Sequence, residues 1–120
     1  MGVTKTVLRP GNGVDRPVKG DEVIIEYRGC LYDPNAAANH YMGKQFDSSK
    51  DRGEFKIAIG VGKVIRGWDE GVVNMTLGEK SILTITGDYA YGDRGFPGLI
   101  PPHSTLVFEV ELKGINNKRA

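Results

Sequence analysis

The sequence predicts an α+β fold, a curled antiparallel β-sheet (a half-barrel) wrapped around one short α-helix. Three observations predict it. Over residues 105–113, Leu106, Phe108, Val110 and Leu112 on one face alternate with Thr105, Val107, Glu109, Glu111 and Lys113 on the other. That period of two belongs to a half-buried strand facing one core. Residues 65–73 are the one stretch with helical spacing, since Ile65, Trp68 and Val72 share a face by the i, i+3, i+7 rule. Glycine, 17 of 120 residues, falls between short apolar runs, which is the pattern of a sheet with many turns.

The elements follow in chain order. Thr4 to Arg9 reads as a first strand, ended by Pro10-Gly11-Asn12-Gly13. Glu22 to Leu31 reads as a second, with Val23, Ile25, Tyr27, Gly29 and Leu31 on one face. Phe55 to Ile59 alternates, with Phe55, Ile57 and Ile59 on one side. The helix over Ile65 to Val73 contains Gly67 and Gly71, each weakening it by up to ~1 kcal/mol relative to alanine. Packing must therefore hold it. Ser81 to Ile85 places Leu83 and Ile85 on one face and Ile82 on the other, where solvent exposure is expected. Curling the sheet around the helix buries both apolar surfaces. The length suits a single domain over residues 1–120.

Composition excludes several kinds of function. A formal net charge of +1, with scattered Lys and Arg, gives no footprint for nucleic acid or an anionic membrane. No apolar run approaches a membrane span, and the N-terminal residues lack the apolar core of a signal peptide. A cytoplasmic location is expected on those grounds. Cys30 is alone, so no disulfide forms within the chain, and it reads as a small buried filler of its strand. One Cys and two His make no zinc site. His103, after Pro101-Pro102, reads as a solvated or turn-stabilising residue. Gly60-Val61-Gly62 reads as a turn, because the third glycine of a phosphate cradle is missing. No nucleophile elbow, P-loop or H-E-x-x-H is present. What stands out is apolar. Phe46, Phe55, Val64-Ile65, Trp68, Tyr89, Tyr91 and Phe96 to Pro102 fall in or beside turns, and apolar side chains on a Pro- and Gly-rich loop suggest a binding rim.

Five segments in register carry a resemblance: Gln45-Phe46-Asp47-Ser48-Ser49, Asp51-Arg52-Gly53, Val64-Ile65-Arg66-Gly67-Trp68-Asp69-Glu70-Gly71, Tyr89-Ala90-Tyr91-Gly92, and Gly98 to Phe108. Together they resemble the FKBP family, the immunophilins that bind tacrolimus and rapamycin, from the first strand to about Ile115. The resemblance implies a peptidyl-prolyl cis-trans isomerase without cofactor or metal, acting on proline-containing peptides and proteins. It puts Trp68 at a pocket floor and Tyr27, Phe46, Phe55, Val64, Ile65 and Phe108 on the walls. Tyr91 and the Ile65 N–H would donate to ligand carbonyls, and Asp47, with Arg52 as partner, would accept at the edge. Leu99 and Ile100 would form a mobile rim, with Phe96 at a variable rim position. Catalysis is expected of Tyr27, Phe46, Asp47, Trp68, Tyr91 and Phe108. The resemblance further implies calcineurin and TOR kinase as partners through the drug complexes. A competing reading is a non-catalytic module that regulates partners through the same pocket.

Two features lie outside that pattern. Residues 32–42 form a longer hairpin tip than the small family members use, which a surface loop tolerates because closure grows only by ~0.6 kcal/mol per doubling of length. Phe96-Pro97 is itself a bulky-apolar–proline dipeptide, so weak self-association is expected through insertion of Pro97 into a neighbour's pocket.

Overall fold

A computed structural model describes residues 2–50 and 52–120. The strands are β1 (Val3–Arg9), β2 (Glu22–Tyr32), β3 (Met42–Ser48), β4 (Phe55–Ala58), β5 (Lys80–Ile85), β6 (Leu106–Ile115) and β7 (Lys118–Arg119), and the helix is α1 (Arg66–Gly71). They form one open antiparallel sheet in the order β1-β5-β6-β2-β3, with β4 also on β2 and β7 on β6. The sheet curls over α1 without closing into a barrel. The expected class is thus found.

Strand β2 is the hinge of the design, because two partners share its outer edge. Residues Glu22 to Ile25 pair with β4, and Arg28 to Tyr32 pair with β3. Tyr27 falls in the gap between them. There its backbone is satisfied by Ser49, whose hydroxyl accepts from the Tyr27 N–H at 2.9 Å and whose N–H donates to the Tyr27 carbonyl at 3.0 Å. The chain therefore leaves the sheet at Ser49 and returns at Phe55, opening the edge beside Tyr27.

The concave side carries the main core. Val23, Ile25, Leu83, Ile85, Val110 and Leu112 are fully buried and pack with Trp68 and Val72 of the helical segment. Helix and sheet approach closely: a Cβ on Gly67 would clash with Ile85 Cγ2, so only glycine fits there. The helix is shorter than expected, and Val72–Asn74 continues it as a 3₁₀ turn.

The convex side overturns one expectation. Ile82 does face away from Leu83, but it is only 2% exposed. It packs with Cys30, Met42 and Val107 in a second small core. Strand β6 adds Val107 to this small core, while Glu109, Glu111 and Lys113 on the same face stay partly exposed, so the rest of the strand is half-buried as expected. Met42 explains the difference, because it opens β3, a strand that the sequence pattern does not announce. Cys30 is the buried filler expected.

The tip between β2 and β3 carries stacked Tyr32 and Tyr41, with ring centroids 5.3 Å apart. His40 and Tyr41 take left-handed backbone angles, φ 55° and 63°, to reverse the chain. His103 is exposed in a turn, also left-handed.

A buried ionic centre ties β1 to β5. Glu79 is almost fully buried and accepts from Ser81 Oγ at 2.6 Å, the Thr76 N–H at 3.0 Å and Lys5 Nζ at 2.9 Å. Burial by itself pushes its carboxyl up. The Ser81 hydroxyl, Lys5 and the Thr76 N–H together outweigh burial and hold it below the usual carboxylate range. Among the described residues no helix is long and apolar enough to cross a membrane, and no cluster of His, Cys, Asp and Glu suits a metal ion.

Candidate functional site

The gap in the sheet edge leads into a well of about 290 Å³ lined by Tyr27, Phe46, Asp47, Phe55, Lys63, Val64, Ile65, Trp68, Tyr91 and Phe108. Ligand sites commonly occupy about 300–1,000 Å³, so this one suits a group the size of a prolyl ring with its neighbours. Each wall comes from a different element. Tyr27 stands on β2, Phe46 and Asp47 on β3, Phe55 on β4, Trp68 on α1 and Phe108 on β6.

The rings meet edge to face. Trp68 lies 4.8 Å from Tyr27 and 5.1 Å from Phe108, centroid to centroid, with planes at 73° and 76°. Phe108 meets Phe46 at 5.7 Å and 88°. Such pairs are worth about 0.5–1.5 kcal/mol each beyond the area they bury. The cage depends on Gly29: a Cβ there would lie 2.6 Å from Phe108 and 2.9 Å from Phe46. Any other residue would push the two rings apart. Trp68 Nε1 is buried and has no hydrogen-bond partner among the described residues. An unmet buried donor costs roughly 1–3 kcal/mol, a local concession of stability of the kind that gathers at functional sites.

One side of the mouth is polar. The Tyr27 hydroxyl donates to Asp47 Oδ2 at 2.8 Å. Arg52 Nη2 donates to Asp47 Oδ1 at 2.6 Å, to the Tyr27 hydroxyl at 3.0 Å and to the Ser48 carbonyl at 2.6 Å. Burial pushes the Tyr27 phenol up, and the adjoining Asp47 carboxylate raises it further. Burial, then the Asp47 charge, raises the Tyr91 phenol likewise. Both phenols are therefore proton-bearing donors at neutral pH. The Ile65 N–H makes no hydrogen bond among the described residues, which leaves a third donor at the wall.

Most expected site residues converge, but four do not line the well. Arg52 stands behind Asp47, in a shallow recess with Ser49 and Glu54. Phe96 and Leu99 are half exposed, at 49% and 50%, and Phe96 stacks edge to face on Tyr91 at 6.1 Å. Ile100 departs from the expected rim: it is 5% exposed and packs into the main core. Two backbone bonds of 2.8 Å with Phe96 turn the loop so that Leu99 points out and Ile100 in. Phe46 and Asp47, expected beside turns, sit within strand β3. Asp51 of the Asp51-Arg52-Gly53 segment lies outside the described residues. Lys63 was not foreseen; its one signal is adjacency to Val64-Ile65.

A larger groove, of about 540 Å³, runs between residues 14–16 and 115–118. The Asp15–Lys118 ion pair, at 3.0 Å, and two asparagines dominate it, and it has no aromatic side chain. It offers nothing comparable to the ring cage.

Residues 13–113 match the family model described as FKBP-type peptidyl-prolyl cis-trans isomerase. The chain is 60% identical over 117 residues to FK506-binding protein 1B of Aspergillus fumigatus, covering 98% of this chain and 97% of the relative. It is 62% identical to FK506-binding protein 1 of Yarrowia lipolytica, covering 97% and 100%. It is 58% identical to a peptidyl-prolyl cis-trans isomerase of Schizosaccharomyces pombe, over the whole of both chains.

Proposed function

The chain belongs to the FKBP-type peptidyl-prolyl cis-trans isomerase family, and from that premise we propose that the aromatic well over Trp68 is where it turns the Xaa–Pro bond. The carrying observation is the edge-to-face cage of Tyr27, Phe108 and Phe46 around the Trp68 floor. Rotation about the bond faces a barrier of about 18–20 kcal/mol, so unassisted exchange takes tens to hundreds of seconds. The planar amide is the charge-separated form, and the twisted state has lost that resonance. A water-poor apolar well therefore disfavours the planar ground state relative to the twisted one. This is differential binding, and it needs no nucleophile.

The remaining residues orient the peptide. The Ile65 N–H and the Tyr91 hydroxyl hold the carbonyls flanking the proline. Asp47, fixed by Tyr27 and Arg52, contributes a modest electrostatic and hydrogen-bonding effect and is not a general base. The same well is a receptor for FK506 (tacrolimus), in keeping with the names of the relatives, and for rapamycin. Phe96 and Leu99, half exposed beside it, form the surface that a drug complex presents to calcineurin or TOR kinase. The protein works in the cytoplasm. Weak self-association follows from Phe96-Pro97 on that exposed loop entering a neighbour's well. Sedimentation of wild type against Pro97→Gly tests it, and identical monomeric behaviour at high concentration excludes it.

The deciding experiment is the cis-to-trans rate of a Leu-Pro-Phe peptide with and without excess rapamycin. Acceleration abolished by the drug is expected. Acceleration that survives saturating drug places turnover elsewhere. Drug binding without acceleration would favour the alternative, a regulatory binding module.

A further inference from the structure

We infer that Asp69 is a positioning residue for the isomerase site: its carboxylate clamps the loop at residues 60–63 and so sets where Lys63, Val64 and Ile65 stand along the wall. The inference rests on the reading of the aromatic well as that site. The Gly60 N–H donates to Asp69 Oδ1 at 2.7 Å, and the Gly62 N–H donates to Asp69 Oδ2 at 2.9 Å. The backbone N–H of Asp69 in turn donates to the Ile65 carbonyl at 3.2 Å. Asp69 is thus tied to both ends of the segment that runs from β4 to α1.

The geometry suits a clamp better than a surface contact. Gly60 and Gly62 both have φ of 79°, which turns two N–H groups toward one carboxylate. Backbone amides hold an anion this way, and here the chain supplies its own. No other backbone hydrogen bond of residues 60–64 occurs among the described residues. Val61, Gly62 and Lys63 are exposed, so packing does little to fix them. The three residues that follow Gly62 all line the well, and one carries the unpartnered Ile65 N–H. Hydrogen bonds to an ionised acceptor are among the stronger ones, so releasing both frees a wall of the site rather than a remote loop.

Three variants test the clamp. Asp69→Ala is expected to lower kcat/KM for a Leu-Pro-Phe peptide about tenfold, through KM, with kcat within about twofold. In the same variant the Gly60 and Gly62 amides should exchange with deuterium at least about tenfold faster, with those of Trp68 and Val72 unchanged. Asp69→Glu restores both acceptor oxygens and should recover most of kcat/KM. Asp69→Asn keeps one acceptor, sets an NH₂ against the other N–H, and should fall between. Wild-type kcat/KM in Asp69→Ala overturns the inference, whether or not the loop amides open. Faster exchange extending through α1 also overturns it, because Asp69 would then only stabilise the helix. Trp68→Leu separates this failure from that of the site itself. Intact turnover in Trp68→Leu removes the well as the site, whereas lost turnover there with intact turnover in Asp69→Ala removes the clamp alone.

Discussion

Two carboxylates in this molecule have the same kinds of partner and opposite surroundings. Glu79 meets a lysine, a hydroxyl and a backbone N–H with its side chain 6% exposed. Asp47 meets an arginine, a phenol and a backbone N–H with its side chain 43% exposed. The first joins β1, β5 and the turn before β5. The second stands at the mouth of a well whose far wall is apolar. Burial therefore separates a structural ion centre from one placed for binding. In the interior an ion pair must be complete to be tolerated. At the surface it contributes little to folding and remains available to a ligand.

Four measurements sharpen or break that contrast. Glu79→Ala leaves the Ser81 hydroxyl and the Thr76 N–H unmet in the interior and should cost about 3 kcal/mol in urea unfolding. A loss under about 1 kcal/mol would mean that the centre relaxes into solvent, and the contrast would fail. Asp47→Val should lower kcat/KM roughly tenfold while changing stability by under about 1 kcal/mol. A rate close to that in water would make Asp47 far more than a modest contributor.

Acid should weaken the buried centre. The folded-state carboxyl of Glu79 lies below its usual value. Its contribution is therefore complete above the unfolded value of about 4.3 and is lost as pH falls from there through the folded value. Glu79→Gln should flatten the stability curve in that acid window; a slope equal to wild type assigns acid unfolding to other carboxylates. Arg52→Ala should have the smallest effect, under about 0.5 kcal/mol on stability and about twofold on rate, since both its side chain and Asp47 are well exposed. A loss as large as that of Asp47→Val would show that Arg52 acts on the substrate directly.

The fold was legible where one physical signal dominated. A period of two marked β6, and the Ile65, Trp68 and Val72 spacing marked the helix despite two glycines. Strand β3 was hidden because Met42-Gly43-Lys44-Gln45-Phe46-Asp47-Ser48 has neither alternation nor β-branched residues; its pairing with β2 makes it a strand. Missing β3 hid the second core as well, since Met42 is what covers Ile82 and Val107. In the site, chemistry alone pointed to the aromatic floor and the loop rim. Asp47 and Tyr91 emerged from the family resemblance, because a lone carboxylate or phenol has no periodicity. Ile100 was misplaced for a tertiary reason: two backbone bonds within its loop decide which of two adjacent apolar residues faces the core. Asp69 was invisible as a clamp because its partners are backbone amides nine and seven residues upstream.

Trp68 is the one tryptophan of the chain, and it forms the floor of the well. Indole emission from this protein therefore arises at the site and nowhere else. A ring laid on that floor displaces water from the indole face, so occupancy should be read directly as a change in fluorescence intensity or colour, with no label attached. The same signal follows unfolding, because the floor is also core. A titration and a melt would thus share one chromophore, and a variant that empties the well without loosening the fold would alter the first curve and leave the second in place.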